Sequence, residues 1–249
     1  MHVIAVTGLK GGVGKTSTAV NLAAISAAAG HRTLLWDLDP QGAATHCLDL
    51  KPKLKGGASR LIGGARGGLD RVARATAYPN LSVVPADASV RDIDRVLSTT
   101  GRPSKPIRRL LSACRDDIDV VIFDCPPGLS SLVEAVATVS DVLLVPVLPE
   151  PLPLRALDRF SDFLTDTKSA SHKILAPFVS MIDRRKPLHR RTELEIRKRG
   201  DFLGAAIPES SAVARLPEEQ VPVIVSAPRS LAATEYRKLW AETTERAGF

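Results

Sequence analysis

The run Lys10-Gly11-Gly12-Val13-Gly14-Lys15-Thr16-Ser17 follows directly on an apolar stretch, Val3-Ile4-Ala5-Val6. A buried strand, a glycine-rich turn and a helix start in that order make a phosphate cradle. The glycines let the backbone curl so that successive N–H groups point inward, and the helix adds the positive end of its dipole. Lys15 brings a mobile cation to the β- and γ-phosphates, and Thr16 places a hydroxyl for Mg²⁺. Residues Gly11 to Ser17 are therefore the expected nucleotide contacts. The strict form of the pattern has glycine where this chain has Leu9, and Lys10 adds a second lysine at the mouth of the loop.

Two further groups could complete phosphoryl chemistry. In Leu34-Leu35-Trp36-Asp37-Leu38-Asp39-Pro40-Gln41-Gly42 an apolar strand ends in two carboxylates before a turn, and strand alternation puts Asp37 and Asp39 on one side. In Asp119-Val120-Val121-Ile122-Phe123-Asp124-Cys125-Pro126-Pro127-Gly128 an apolar strand delivers Asp124 at its tip, the Walker B arrangement. There Asp124 would hold Mg²⁺ through a water, with a low-dielectric strand behind it.

Together these strings resemble the deviant P-loop ATPases of the ParA/MinD group, closest to the short ParA type. The resemblance implies ATP and Mg²⁺ as ligands and an ATP-dependent homodimer in which Lys10 reaches the partner's phosphates. It implies that Asp39 orients the attacking water, that Asp37 supports Mg²⁺ and its waters, and that a backbone N–H near Gly128 senses the γ-phosphate. The adenine would lie between Asp183, in Met181-Ile182-Asp183-Arg184, and Pro208, in Ala206-Ile207-Pro208-Glu209. For a ParA-type chain it also implies non-specific DNA binding, hydrolysis stimulated by a ParB-like or other partner protein, and a positioned plasmid, chromosome region or protein cargo. The basic residues Arg184, Arg185, Arg190, Arg191, Arg197 and Lys198 would supply the DNA contacts on a helix whose Leu194 points inward, and Arg215 is a looser candidate.

The alternative within the group is a MinD-like membrane-associated ATPase. Its basic amphipathic tail is not matched here: the acids of the segment from Tyr236 to Phe249 balance its bases, and the expectation is a helix packed back on the domain. A nitrogenase-type iron protein needs cysteines that pair across a dimer, whereas Cys47, Cys114 and Cys125 are scattered. A metabolic P-loop enzyme has no obvious use for Lys10 or the D-x-D-P-Q-G string. No helix-turn-helix extension precedes the P-loop, so operator-specific binding is not expected.

The elements that position these groups follow from periodicity. Apolar runs at Val3–Thr7, Thr33–Trp36, Leu81–Pro85, Val120–Phe123, Val142–Val147 and Ile174–Met181 predict strands covered on both faces. Helical stretches are expected at Thr16–Ala29, Ile107–Cys114, Leu154–Thr165, Leu188–Arg199 and Leu231–Arg246, and an irregular surface segment at Lys51–Gly68. Strands alternating with helices over 249 residues, with no linker or repeat, predict a single α/β P-loop domain spanning 1–249 with a doubly wound, mostly parallel sheet. A charged content of 24% is ordinary, while a net charge of +7 suits a polyanionic partner. No apolar run reaches transmembrane length and no signal segment opens the chain, so a cytoplasmic, nucleoid-associated location is expected.

Overall fold

The computed structural model describes residues 1–63, 68–166 and 174–249. In chain order the first half comprises β1 (His2–Val6), α1 (Lys15–Ala28), β2 (Thr33–Asp37), α2 (Ala43–His46), α3 (Ala58–Gly63), β3 (Arg74–Ala75), β4 (Leu81–Val84), α4 (Arg91–Ser98), α5 (Ser104–Ala113) and β5 (Val120–Asp124). The second half comprises α6 (Ser131–Val139), β6 (Val142–Val147), α7 (Pro151–Asp166), β7 (Ile174–Ile182), α8 (Pro187–Arg199) and β8 (Ala206–Pro208). Three short helices follow, α9 (Ser211–Ala214), α10 (Leu216–Glu219) and α11 (Val223–Ser226), before α12 (Leu231–Ala247).

The strands form one sheet in the order β3-β4-β2-β5-β1-β6-β7-β8, parallel throughout except that β3 runs antiparallel to β4. Alternation along β1 divides the core. Val3 and Ala5 pack with Leu97, Leu110, Val136 and Phe160 of α4, α5, α6 and α7 on one face. Ile4 and Val6 pack with Leu22 of α1 and Tyr236 and Leu239 of α12 on the other. Both faces are covered, which is why the strands read as unbroken apolar runs. The sheet's carboxyl edge carries Asp37, Asp124 and the turn after β1, so the topology delivers the three chemical groups to one place.

Several segments depart from expectation, α4 and β3 among them, and two bear most on the core. The stretch Lys51–Gly68, expected to be irregular surface, contains α3 and buries Leu54, Ala58, Leu61 and Ile62 against the core. The stripe of Ala58, Leu61 and Ile62 is short and follows a lysine- and glycine-rich loop, which hid it; residues 64–67 lie outside the described residues. Helix α6 was not anticipated because its sequence, SLVEAVATV, is apolar nearly all round, and seven of its nine residues are buried. Its N-terminus is set by Ser130, whose Oγ accepts from the N–H of Val133 at 3.3 Å.

Candidate nucleotide site

The turn after β1 forms the expected cradle. Gly14 stands immediately before α1 with φ +90°, and a Cβ there would lie 3.0 Å from Ser180 Oγ, so the position suits glycine on two counts. Ser180, buried on β7, donates from Oγ to the Val13 carbonyl at 2.8 Å and ties the cradle to the neighbouring strand. Lys15 is buried, and its Nζ donates to the Lys10 carbonyl at 2.7 Å. Burial holds the Lys15 ammonium below its ordinary range, partly offset by Asp124. The Gly128 N–H donates to the Gly8 carbonyl at 3.3 Å, so the loop after β5 also rests on the cradle.

The carboxylates are arranged by register. Asp37 and Asp124 are facing partners at the ends of β2 and β5 and are both buried. Thr16 Oγ1 donates to Asp124 Oδ2 at 2.8 Å, while Asp124 Oδ1 is buried with no hydrogen-bond partner. Burial, with Asp37 alongside, pushes the Asp124 carboxyl well above the usual range. A hydroxyl and an orphaned carboxylate oxygen side by side fit a hard cation that brings other oxygen ligands with it. Among the described residues no group of three or more His, Cys, Asp or Glu could hold a metal ion by itself. A cation here would therefore depend on phosphate and water oxygens, as Mg²⁺ does.

Asp37 has a different surrounding. Its Oδ2 accepts from Thr45 N at 2.9 Å and Thr45 Oγ1 at 2.7 Å, and its Oδ1 accepts from Asp39 N at 3.2 Å. Burial raises it to about 6, against these hydrogen bonds. The structure thus uses Asp37 to brace the turn that carries Asp39. Asp39 Oδ1 accepts from Gln41 N at 3.0 Å, and Asp39 lines the same cavity as the cradle.

That cavity has a volume of about 450 Å³ and runs from Gly11, Gly12, Gly14, Lys15, Thr16, Ser17 and Asp39 to an apolar end formed by Ile207, Pro208, Val213 and Tyr236; Val13, expected among the contacts, is buried and does not line it. Pro208 lines it as expected; Asp183 does not. The Asp183 carboxylate pairs with Arg185 at 2.9 Å, which holds it below the usual range, and its N–H donates to His189 Nδ1. Met181, two residues earlier, takes the lining position. Val213 and Tyr236 were missed because they come from short helix α9 and from α12, far from any phosphate motif.

Helix α8 corrects the basic face. Leu194 is 63% exposed, and the inward positions are His189, Thr192, Glu193 and Ile196. Buried Glu193 pairs with both Arg184 and Arg197 at 2.8 Å; Lys186 pairs with Glu209 and Arg199 with Asp158 and Asp201. Arg215 pairs with Glu219 at 2.7 Å. Arg190, Arg191 and Lys198 are exposed and have no carboxylate partner among the described residues. The C-terminal segment packs back as expected: Trp240 is 9% exposed, and Phe249 stacks on His2 with ring centroids 3.9 Å apart. Among the described residues no helix is long and apolar enough to cross a membrane.

Comparison with known proteins places these features in a family. A family model described as an AAA domain matches residues 1–176. The chain is 32% identical over 246 residues to the sporulation initiation inhibitor protein Soj of Bacillus subtilis, covering 96% of this chain and 97% of Soj. It is 31% identical over 254 residues to the chromosome partitioning protein ParA of Caulobacter vibrioides, covering 99% and 95%. Among solved structures, cobyrinic acid a,c-diamide synthase of Mycobacterium smegmatis with bound ATP analog and magnesium superposes with a TM-score of 0.80 at 27% identity, covering 97% of this chain and 93% of the other.

Proposed function

We propose, for a chain that belongs to the Soj/ParA family of P-loop ATPases, that it binds and hydrolyses Mg-ATP as a switch for a DNA-tethered positioning system. The observation that carries this reading is the meeting of Lys15, Thr16, Asp39 and the apolar end at Ile207 and Pro208 around one cavity of about 450 Å³, with Asp124 behind Thr16. Mg²⁺ would be held by Thr16 and, through water, Asp124, and it supplies charge neutralisation at the β- and γ-phosphates. The cradle N–H groups hold the phosphates, and Lys15 leaves the Lys10 carbonyl to meet them. Asp39 stands where a carboxylate can orient water, braced from behind by Asp37. In this reading Lys10, which lines a neighbouring pocket and not the nucleotide cavity, reaches a second copy across an ATP-dependent dimer.

DNA binding is supported by Arg190, Arg191 and Lys198, the α8 cations with no acidic partner among the described residues. In this reading the dimer binds duplex without sequence preference, and a partner protein triggers hydrolysis and release of a carried plasmid, chromosome region or protein assembly. The test is an ATPase and dimerisation assay. Lys15→Ala is expected to abolish nucleotide binding, and Asp39→Ala to bind ATP and stay dimeric without turnover. Normal turnover by the Asp39 variant would refute its water-orienting role. Changing Arg190, Arg191 and Lys198 to Glu is expected to weaken duplex binding with ATP binding intact, and retained affinity would move the DNA contact elsewhere.

A further inference from the structure

The larger part of the chain's positive surplus sits away from α8. Residues 51–115 contain fourteen Lys and Arg against four Asp and Glu, while the rest of the chain carries twenty against twenty-three. The whole net charge of +7 therefore comes from this one stretch. Its described residues, 51–63 and 68–115, fold as a flank: α3 packs on α4 and α5, and Arg109 Nη2 donates to the Ile62 carbonyl at 2.8 Å, holding α3 to α5. The loop before α3 is docked through Leu54 N on Asp87 and by Arg74, whose guanidinium donates to the carbonyls of Lys51 and Lys53.

Like Arg190, Arg191 and Lys198 of α8, seven cations of this flank stand without an ion pair among the described residues. Lys51, Lys53, Lys55, Arg60, Arg102, Lys105 and Arg108 are all exposed, and none has a carboxylate partner among the described residues. Two of the four acids are occupied by backbone N–H groups, Asp87 by Leu54 and Ser89 and Asp94 by Leu132, and Asp92 pairs with Arg95. At the start of α5 the surface is concave: a groove of about 650 Å³ against α6 is lined by Arg102, Lys105 and Arg108, with Glu134 as its one acidic lining residue.

We propose that this flank is a second nucleic-acid surface, taking the phosphate backbone of a duplex by charge alone. Among the described residues the large exposed apolar side chains, Leu129, Leu152, Leu188, Leu194, Val225 and Leu231, all lie outside residues 51–115. A protein partner or a membrane would gain from apolar anchors, and this surface offers none. Single-sign charge spread over three elements matches a polyanion whose contacts are all phosphates. The inference rests on the duplex-binding part of the function proposed above but names a different face. No described residue of the flank lines the nucleotide cavity, so its contribution is expected without nucleotide.

The test is anisotropy of a labelled duplex with nucleotide-free and Mg-ATP-loaded protein across a NaCl series. Neutralising three cations, Arg102→Gln, Lys105→Gln and Arg108→Gln, is expected to make the log–log salt slope shallower by about 2.7, at about 0.9 per phosphate. Wild-type affinity then falls about 40-fold more than the variant's between about 50 and about 200 mM salt. A second variant, Lys51→Gln, Lys53→Gln and Lys55→Gln, is expected to act in the same direction, and both are expected to bind ATP normally. Unchanged slope and affinity in both variants, while the Arg190, Arg191 and Lys198 variant loses binding, would overturn the flank and leave the DNA reading standing. No duplex binding by wild type in any nucleotide state would remove both. Phosphatidylserine vesicles that sediment wild type but not the flank variants, with duplex binding unaltered, would assign the face to lipid and overturn the proposal.

Discussion

Thr45→Val separates the two jobs of the buried Asp37. The Thr45 hydroxyl is fully buried, donates to Asp37 Oδ2 at 2.7 Å and accepts from Ala86 N at 3.1 Å. Asp37 titrates at about 6 in the fold, against 3.8 in the open chain. Between those values the folded carboxyl is neutral and the unfolded one ionised, so stability falls as pH rises through that window and levels off above it. Two pH units at about 1.36 kcal/mol each make the loss roughly 3 kcal/mol. The hydroxyl bond favours the ionised form, so deleting it moves the Asp37 titration higher and enlarges the loss at alkaline pH.

Valine keeps the shape but strands the Ala86 N–H, at a cost of about 1–3 kcal/mol that does not depend on pH. The lost bond to the charged carboxylate adds a further 1–2 kcal/mol or so, felt only where Asp37 is ionised. Asp124, Asp39, Lys15 and Cys47 surround the pair in variant and wild type alike. Urea denaturation with divalent cations chelated, at about pH 5 and about pH 8, is therefore expected to give a destabilisation larger at the higher pH by about 1–2 kcal/mol. Thr45→Ser keeps the hydroxyl and is expected to show no such difference. Equal destabilisation of the valine variant at both pH values would refute the assignment of Asp37 as the group that responds.

Gly14→Ala combines a left-handed backbone costing about 1–2 kcal/mol with a Cβ 3.0 Å from Ser180 Oγ. Calorimetry is expected to show at least about tenfold weaker ATP binding, and near wild-type affinity would mean that the cradle can shift. Ser180→Ala removes the bond to the Val13 carbonyl but adds no clash, and weaker ATP binding at retained thermal stability is expected in the same assay. Glu193→Gln loosens Arg184 and Arg197, each about half exposed at its side chain, so destabilisation is expected to be only about 1–2 kcal/mol. Its salt slope for duplex binding is expected to steepen by about 2 as two guanidiniums are freed, whereas an unaltered slope would place α8 away from the DNA.

At rest, the groups that would meet the nucleotide are already bonded to one another. Lys15 sits on the Lys10 carbonyl, Thr16 on Asp124, and the Gly128 N–H on the Gly8 carbonyl. The Lys15 and Gly128 bonds offer donors that phosphate oxygens can claim, and the Thr16–Asp124 bond offers oxygens that a cation can claim, so the site exchanges partners on binding. Asp37 is the exception, since all its bonds point into the turn carrying Asp39. That difference separates the group that holds the switch from the groups that it acts with.

What could be seen in the sequence follows the same division. Phosphate chemistry uses residues close together in the chain, so Gly11–Ser17, Asp39 and Asp124 were legible from spacing. The apolar end of the cavity was only half legible, because Val213 and Tyr236 reach it from elements defined by packing rather than by a motif. Charge was the least legible property. A run of arginines looks like a polyanion surface until its partners are known, and Glu193, on the inward side of α8, takes up two of them. The lysines before α3 look like loop solvation until the buried Leu54, Ala58 and Leu61 show that they stand on a fixed support. Local sequence reports the sign of a charge. Whether that charge is spent inside the fold or held for a partner is decided by what the tertiary structure puts opposite it, and here Arg190, Arg191 and Lys198 of α8 and the exposed cations around α3 and α5 are the ones left unpaired among the described residues.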